Sequence, residues 1–136
     1  MNKWQEILQN HRKFVCTIVF MLMIFFSCTT FPFFNFTHEW SKELRYMNIF
    51  ITWAAFWVMG TAEAEVLTEK SSLNVFILNL FLVLAGMGAR YLLEYGEISN
   101  VYNFTMLNSI VHIFIATLVS TASWGTSVAK FRQKGE

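Results

Sequence analysis

Residues 14–34 read FVCTIVFMLMIFFSCTTFPFF, a stretch without a charged side chain, and this stretch decides the fold class. A helix needs about 20 apolar residues to cross a bilayer, and about 17 are still sufficient. The basic segment His11-Arg12-Lys13 precedes the stretch, and no cleavage site of the small-x-small type follows it. We therefore predict an uncleaved membrane-spanning helix in preference to a signal peptide or a lipoprotein signal ending near Cys28.

Three further apolar stretches follow in the chain, at residues 46–62, 73–90 and 104–129. The 136 residues are 55% hydrophobic and only 14% charged, whereas ordinary soluble domains are roughly 25% charged. The sequence therefore predicts a single transmembrane domain over residues 1–136 that is all-α, an integral membrane four-helix bundle. The net charge of +1 gives no reason to expect binding to nucleic acid.

The basic residues predict the orientation, because an excess of Lys and Arg marks cytoplasmic segments. Seven of the ten lie at the two termini and in the loop between the second and third stretches, namely Lys3, Arg12, Lys13, Lys70, Lys130, Arg132 and Lys134. The remaining three lie in the other two loops, namely Lys42, Arg45 and Arg90. We therefore expect both termini in the cytoplasm of a multi-pass protein of the bacterial plasma membrane.

Residues 59–70 (MGTAEAEVLTEK) place three glutamates after the second stretch. The 17 residues from 46 to 62 span about 25 Å as a helix. That length nearly crosses a hydrocarbon core of about 30 Å without Glu63. The glutamates are therefore predicted to mark a helix end at the cytoplasmic face rather than a buried acidic site. The resulting partner-docking loop comprises Glu63, Glu65, Glu69 and Lys70.

Polar and small residues recur at helical spacing in the third and fourth stretches, at Asn79, Val83, Gly86 and Arg90, and at Asn108, His112, Ala116 and Ser120. Both faces should turn inward, because polar groups exposed to lipid are costly. One interpretation is packing between helices. The other is a polar pocket near the outer leaflet that binds an anionic headgroup or senses pH, built from Arg90, Glu94, Asn108, His112 and Asn79.

The sequence does not support an enzyme, and we predict no catalytic residue, no cofactor and no metal site. The three histidines fall in three separate segments, at His11, His38 and His112. None of the H-E-x-x-H, C-x-x-C or Walker motifs occurs. Glycosylation sequons begin at Asn35 and Asn103 on the predicted outer side, and the sequence leaves their use open.

Residues 46–95 combine Gly60 near the inner end of a helix, a short acidic loop over residues 63–70, and a span that opens with Ser72-Leu73-Asn74. In these features the chain resembles a family of small four-helix membrane proteins of unknown activity that accompany LytTR-type transcription regulators in Gram-positive bacteria. The resemblance implies a membrane-embedded protein that restrains a regulator. It carries no catalytic residue.

Two classes of function remain open from the sequence. The first is a small polytopic membrane protein that acts by protein–protein interaction, as a regulatory, immunity or accessory subunit. Its partners would be the bilayer and another protein, such as a regulator, a toxin or a transporter subunit, and a homo-oligomer is compatible with it. The second is a small oligomeric transporter, channel or holin-like pore.

Overall fold

The computed structural model describes residues 3–31, 42–67 and 70–134, and the chain is helical there without any strand. Its helices are α1 (Lys3–Asn10), α2 (Arg12–Thr30), α3 (Lys42–Val66), α4 (Ser72–Leu93), α5 (Ile98–Asn103) and α6 (Met106–Lys134). Among the residues described, three helical segments are long and apolar enough to cross a membrane, Arg12–Thr30, Ser72–Leu93 and Met106–Phe131. The all-helical fold is confirmed, and its composition is consistent with a membrane protein.

Helix α3 differs from its predicted span at both ends. It runs from Lys42 to Val66 and so continues past the predicted end at residue 62. It is not among the three segments that are long and apolar enough to cross a membrane, and its apolar centre lies between Asn48 and Glu63. The glutamate that the sequence places after a helix end is therefore part of the helix.

Side chains from other helices close the C-terminal end of α3. Arg12 Nε donates to the carbonyl oxygen of Val66 at 3.0 Å. Trp124 Nε1 donates to the carbonyl oxygen of Leu67, also at 3.0 Å. The last carbonyls of a helix have no partner within it, and a basic group there also complements the helix dipole. Both hydrogen bonds therefore fix the end of α3 against α2 and α6.

The turn into α4 and the turn after it follow the sequence signals. Ser71 caps α4, since its Oγ accepts a hydrogen bond from the backbone N–H of Asn74 at 3.3 Å. After Leu93 the chain turns at Gly96, whose φ of 83° lies in the left-handed region that favours glycine. Serine at a helix N-cap and glycine at a left-handed turn are the residue types that the local backbone favours at these two positions. We call the end with Ser71 the α3/α4 end and the end with Gly96 the α4/α5 end.

The four long helices each contact two or more of the others: α3 packs on α6, α2 on α4, α4 on α6, and α2 on α3. Two glycines lie at the closest contacts. A Cβ on Gly60 of α3 would collide with the carbonyl oxygen of Ser120 in α6. A Cβ on Gly86 of α4 would collide with the side chain of Ser27 and lie 2.6 Å from the carbonyl oxygen of Ile24 in α2. Glycine therefore sets the separation of both helix pairs.

Large apolar side chains face outward, and the interior contains polar side chains beside an apolar core. Each long helix exposes a phenylalanine by more than half, with Phe25 at 57%, Phe50 at 67%, Phe81 at 70% and Phe114 at 61%. The interior instead holds polar side chains that include Glu63, Asn79, His112, Ser120 and Ser123. Soluble monomers rarely expose large apolar surfaces. The polar faces predicted for the third and fourth stretches do turn inward, and this prediction is confirmed.

Candidate functional site

Glu63 is an unusual buried side chain, because it carries a carboxyl group and none of it is exposed. It lies in the last turn of α3, and its backbone oxygen accepts from the Leu67 N–H at 2.8 Å. The prediction that Glu63 belongs to an exposed docking loop is wrong. The physical reason is that α3 continues past residue 62 and turns this side chain into the interior.

The partner of Glu63 is Asn79, about two turns into α4. We assign the Asn79 amide with its nitrogen toward the carboxyl group, because each of its atoms then meets a complementary partner. Asn79 Nδ2 then lies 2.8 Å from Glu63 Oε1 and 2.6 Å from Oε2. Both oxygens of the carboxyl group are therefore contacted by one amide nitrogen.

Helix α6 completes this cluster with two hydroxyl groups. With the same assignment, Asn79 Oδ1 accepts from Ser120 Oγ at 3.2 Å and from Thr121 Oγ1 at 3.0 Å. Ser120 Oγ also lies 2.7 Å from the carbonyl oxygen of Ala116, which is an alternative acceptor for its proton. We call Glu63, Asn79, Ser120 and Thr121 the carboxyl cluster. It joins α3, α4 and α6 by hydrogen bonds in the interior.

The polar pocket predicted from Arg90, Glu94, Asn108, His112 and Asn79 is divided in the structure. Asn79 belongs to the carboxyl cluster, toward the α3/α4 end. Arg90 and Glu94 do form the predicted ion pair, with Nη2 and Oε1 3.0 Å apart. Arg90 Nη1 also donates to the carbonyl oxygen of Cys28 at 3.2 Å, which connects α4 to the end of α2. These contacts make Arg90 a link between helices.

Asparagines of α5 and the start of α6 extend the ion pair. Asn103 Nδ2 donates to Glu94 Oε2 at 3.3 Å, and Asn108 Nδ2 donates to the carbonyl oxygen of Asn103 at 3.2 Å. The side chain of Asn103 is only 5% exposed. A glycan on this nitrogen would therefore require the loss of its hydrogen bond and of its burial. Asn35, the other sequon, lies outside the described residues.

His112 forms a separate cluster with α2. Its Nε2 is 3.2 Å from Ser27 Oγ, and the Ser27 hydroxyl also donates to the carbonyl oxygen of Val83 at 2.8 Å. The rings of Phe31 and Phe56 enclose the imidazole edge-on, with centroids at 5.1 Å and 6.0 Å. Among the described residues no hydrogen bond joins His112 to Arg90 or Asn108, so the predicted grouping of these side chains is not observed.

Two other residues of the predicted docking loop are among those that the structure describes. Glu65 and Lys70 are exposed at the α3/α4 end, and Glu69 lies outside the described residues. Within the described ranges, no three His, Cys or Glu side chains come close enough together to hold a metal ion. The exposed charges can still contact a partner, and this part of the docking hypothesis stays a prediction.

Three partners in these clusters, Ser27, Ser120 and Thr121, were not predicted from the sequence as site residues, and of these only Ser120 was assigned to an inward face. Ser27 lies in an apolar stretch among phenylalanines and gave no signal there. Thr121 follows Ser120 in a segment rich in small residues, where the pattern indicates packing alone.

Comparison of the chain with protein-family models, with curated proteins and with solved structures gives no match.

Proposed function

We propose that this protein is a multi-pass protein of the bacterial plasma membrane with four spans and both termini in the cytoplasm. The observation that carries the proposal is the exposure of a large phenylalanine on each of α2, α3, α4 and α6, around an interior that contains buried polar side chains. The buried polar side chains form hydrogen bonds with one another and with backbone carbonyl groups, and the apolar outer faces are suited to contact with lipid. Helix α3 shares this distribution with the others, which supports its role as the fourth span of a membrane bundle.

We propose further that the protein acts by binding another protein at its α3/α4 end. Glu65 and Lys70 are exposed there, and Arg12 of α2 closes the end of α3 beside them. The resemblance to membrane proteins that accompany LytTR-type regulators supports a cytoplasmic regulator as the partner. A toxin or a transporter subunit is the alternative partner under the same hypothesis. An exposed, charged surface beside the membrane suits reversible capture of such a partner.

Charge reversal at the α3/α4 end tests this proposal. The double variant Glu65→Lys with Lys70→Glu should lower the recovery of partner proteins about tenfold, because reversed charges repel a complementary surface. The measurement is crosslinking of the tagged protein in membranes followed by mass spectrometry. Glu97→Lys, at the α4/α5 end, is the control and should leave recovery unchanged. Equal recovery with both variants would remove this surface from the account.

A small oligomeric transporter is the second candidate, and the burial of Glu63 is what favours it. Small transporters commonly couple flux to a carboxyl group inside the membrane, since ionisable side chains there mark ion and substrate pathways. The sequence placed no carboxyl group inside a span, whereas α3 carries one in the interior. Flux into proteoliposomes that disappears with Glu63→Gln would favour this candidate over partner binding.

A further inference from the structure

The carboxyl cluster has a hydrogen-bonding property that a purely structural glutamate does not need. The two oxygens of Glu63 lie 2.8 Å and 2.6 Å from one atom of the Asn79 amide. At that separation one of the two groups must donate a proton to the other. Either the amide nitrogen donates to a carboxylate, or a protonated carboxyl group donates to the amide oxygen.

The same neighbours give the Asn79 amide hydrogen-bond partners in both arrangements. When Nδ2 faces a carboxylate, Asn79 Oδ1 accepts from Ser120 Oγ at 3.2 Å and from Thr121 Oγ1 at 3.0 Å. When Oδ1 faces a protonated carboxyl group, Asn79 Nδ2 instead donates to Thr121 Oγ1 at 3.0 Å. The Ser120 hydroxyl then donates to the carbonyl oxygen of Ala116 at 2.7 Å. The arrangements differ by a rotation of one amide and of the hydroxyl protons.

Among the residues that the structure describes, no cationic side chain forms an ion pair with Glu63. From α2, Arg12 donates to the Val66 carbonyl oxygen, three residues further along α3. Helix α4 presents Asn79, and α6 presents Ser120, Thr121 and Trp124, none of which is charged. Helix α1 also contacts α3, and its charged residues are exposed, as is Glu65 on α3 itself. A buried carboxylate without a paired cation is costly, so a proton is the simplest group that can neutralise it.

We propose that the carboxyl cluster is a proton-binding site, in which Glu63 takes up one proton from water at the α3/α4 end and the Asn79 amide reverses. The proton leaves a hydronium ion and bonds to one carboxylate oxygen, so that one water molecule is released. Glu63 lies three residues from Val66, about 4.5 Å along the helix axis, so the path from that end is short. The rearranged hydrogen bonds reach the contact between α3 and α6 through Ser120, because the backbone carbonyl oxygen of Ser120 lies against Gly60.

The proton-binding proposal does not depend on the binding of a partner protein. For the second candidate function, a transporter, it identifies the proton as the ligand of the Glu63 carboxyl group. The binding of a metal ion is less suited to the site. Oxygen ligands stand about 2.3–2.6 Å from a cation such as Ca²⁺ and are separated from one another by that ion. The amide and carboxyl atoms are instead in direct contact at 2.6 Å.

Infrared difference spectroscopy of the full chain in lipid vesicles tests the proposal. Lowering the pH should produce a protonated-carboxyl band together with a change in an asparagine side-chain band. Both should be lost in Glu63→Gln, which keeps the length of the side chain. Glu65→Gln removes the exposed glutamate on the same helix and should keep both. A spectrum of Glu63→Gln identical to that of the unchanged protein would overturn the proposal.

A second variant covers the case in which Glu63→Gln does not fold. Asn79→Ser keeps Glu63 and removes the amide, so the carboxyl band should remain and move in frequency while the asparagine band disappears. An unmoved carboxyl band would mean that Asn79 does not bond to the titrating group. A parallel measurement on vesicles in sodium instead of potassium should show both bands unchanged. A band that depends on sodium would mean that the site binds a metal cation and not a proton.

Discussion

Gly86→Ala is expected to destabilise the protein by about 1–3 kcal/mol, which is the usual cost of forcing an extra methyl group into a packed contact. The new Cβ would collide with the side chain of Ser27 and with the carbonyl oxygen of Ile24, which lies 2.6 Å from it. The oxygen belongs to the backbone of α2, so the two helices must separate to relieve the collision. The measurement is the free energy of unfolding in mixed detergent micelles.

Gly88→Ala is the matched control, because it makes the same change two residues further along α4. A Cβ at this position meets nothing within 4 Å, so only the backbone effect remains. Alanine is favoured over glycine inside a helix by about 0.5–1 kcal/mol, and Gly88→Ala should be neutral or stabilising. The pair Gly60→Ala and Gly125→Ala should repeat the contrast for α3 and α6, since Gly125 is also unobstructed. Equal losses within a pair would contradict the helix contacts described above.

Asn79→Leu is expected to destabilise the protein by about 1–3 kcal/mol, because it leaves the buried carboxyl group of Glu63 without its partner. Asn79 Nδ2 is within 2.8 Å of both carboxyl oxygens, and neither residue is exposed. When Glu63 and Asn79 are both replaced by apolar residues, neither buried polar group is left without a hydrogen-bond partner. The double variant Glu63→Met with Asn79→Leu should therefore recover most of the loss.

A complete double-mutant cycle in micelles measures this coupling. Glu63→Met alone should also be destabilising, because the Asn79 amide would then face an apolar side chain. Arg90→Met combined with Asn79→Leu serves as the comparison pair, since the hydrogen bonds of Arg90 go to Cys28 and Glu94 instead. Its two effects should add. Additive effects of the Glu63 and Asn79 substitutions would contradict the carboxyl cluster.

The helices themselves follow from local sequence patterns. Apolar stretches, the Ser71 cap and the break at Gly96 are local signals, and the inward faces of α4 and α6 follow from helical periodicity. The Arg90–Glu94 pair is local as well, because its members are four residues apart. Each of these features depends only on residues within one helix or one turn.

The carboxyl cluster depends on contacts between helices, and the sequence could not supply them. Counting apolar residues ends the second stretch before Glu63, because a charged side chain ordinarily marks the membrane boundary. The glutamate is accommodated because Asn79 of α4 contacts it, and two hydroxyls of α6 contact Asn79 in turn. Asn79 was predicted to face inward, but the pattern along one helix does not say which helix lies opposite.

The hydrogen bond of His112 also depends on a contact between helices that the sequence does not predict. The histidine was expected near Arg90, on the basis of depth estimated from helix length. Its hydrogen bond goes instead to Ser27 of α2. The contact of α2 with α4 at Gly86 brings Ser27 toward the interior, and this pairing of helices is not encoded in the period of either stretch.

Membrane-impermeant maleimide labelling of single cysteines tests the central claim that α4 crosses the membrane beside a buried Glu63. Glu65→Cys and Tyr95→Cys, each in a chain with Cys16→Ser and Cys28→Ala, flank α4 at exposed positions. In intact cells the cysteine at 95 should be labelled and that at 65 only after permeabilisation, while Glu63→Cys should stay unlabelled until the protein is denatured. Labelling of positions 65 and 95 from the same side of the membrane would contradict the account.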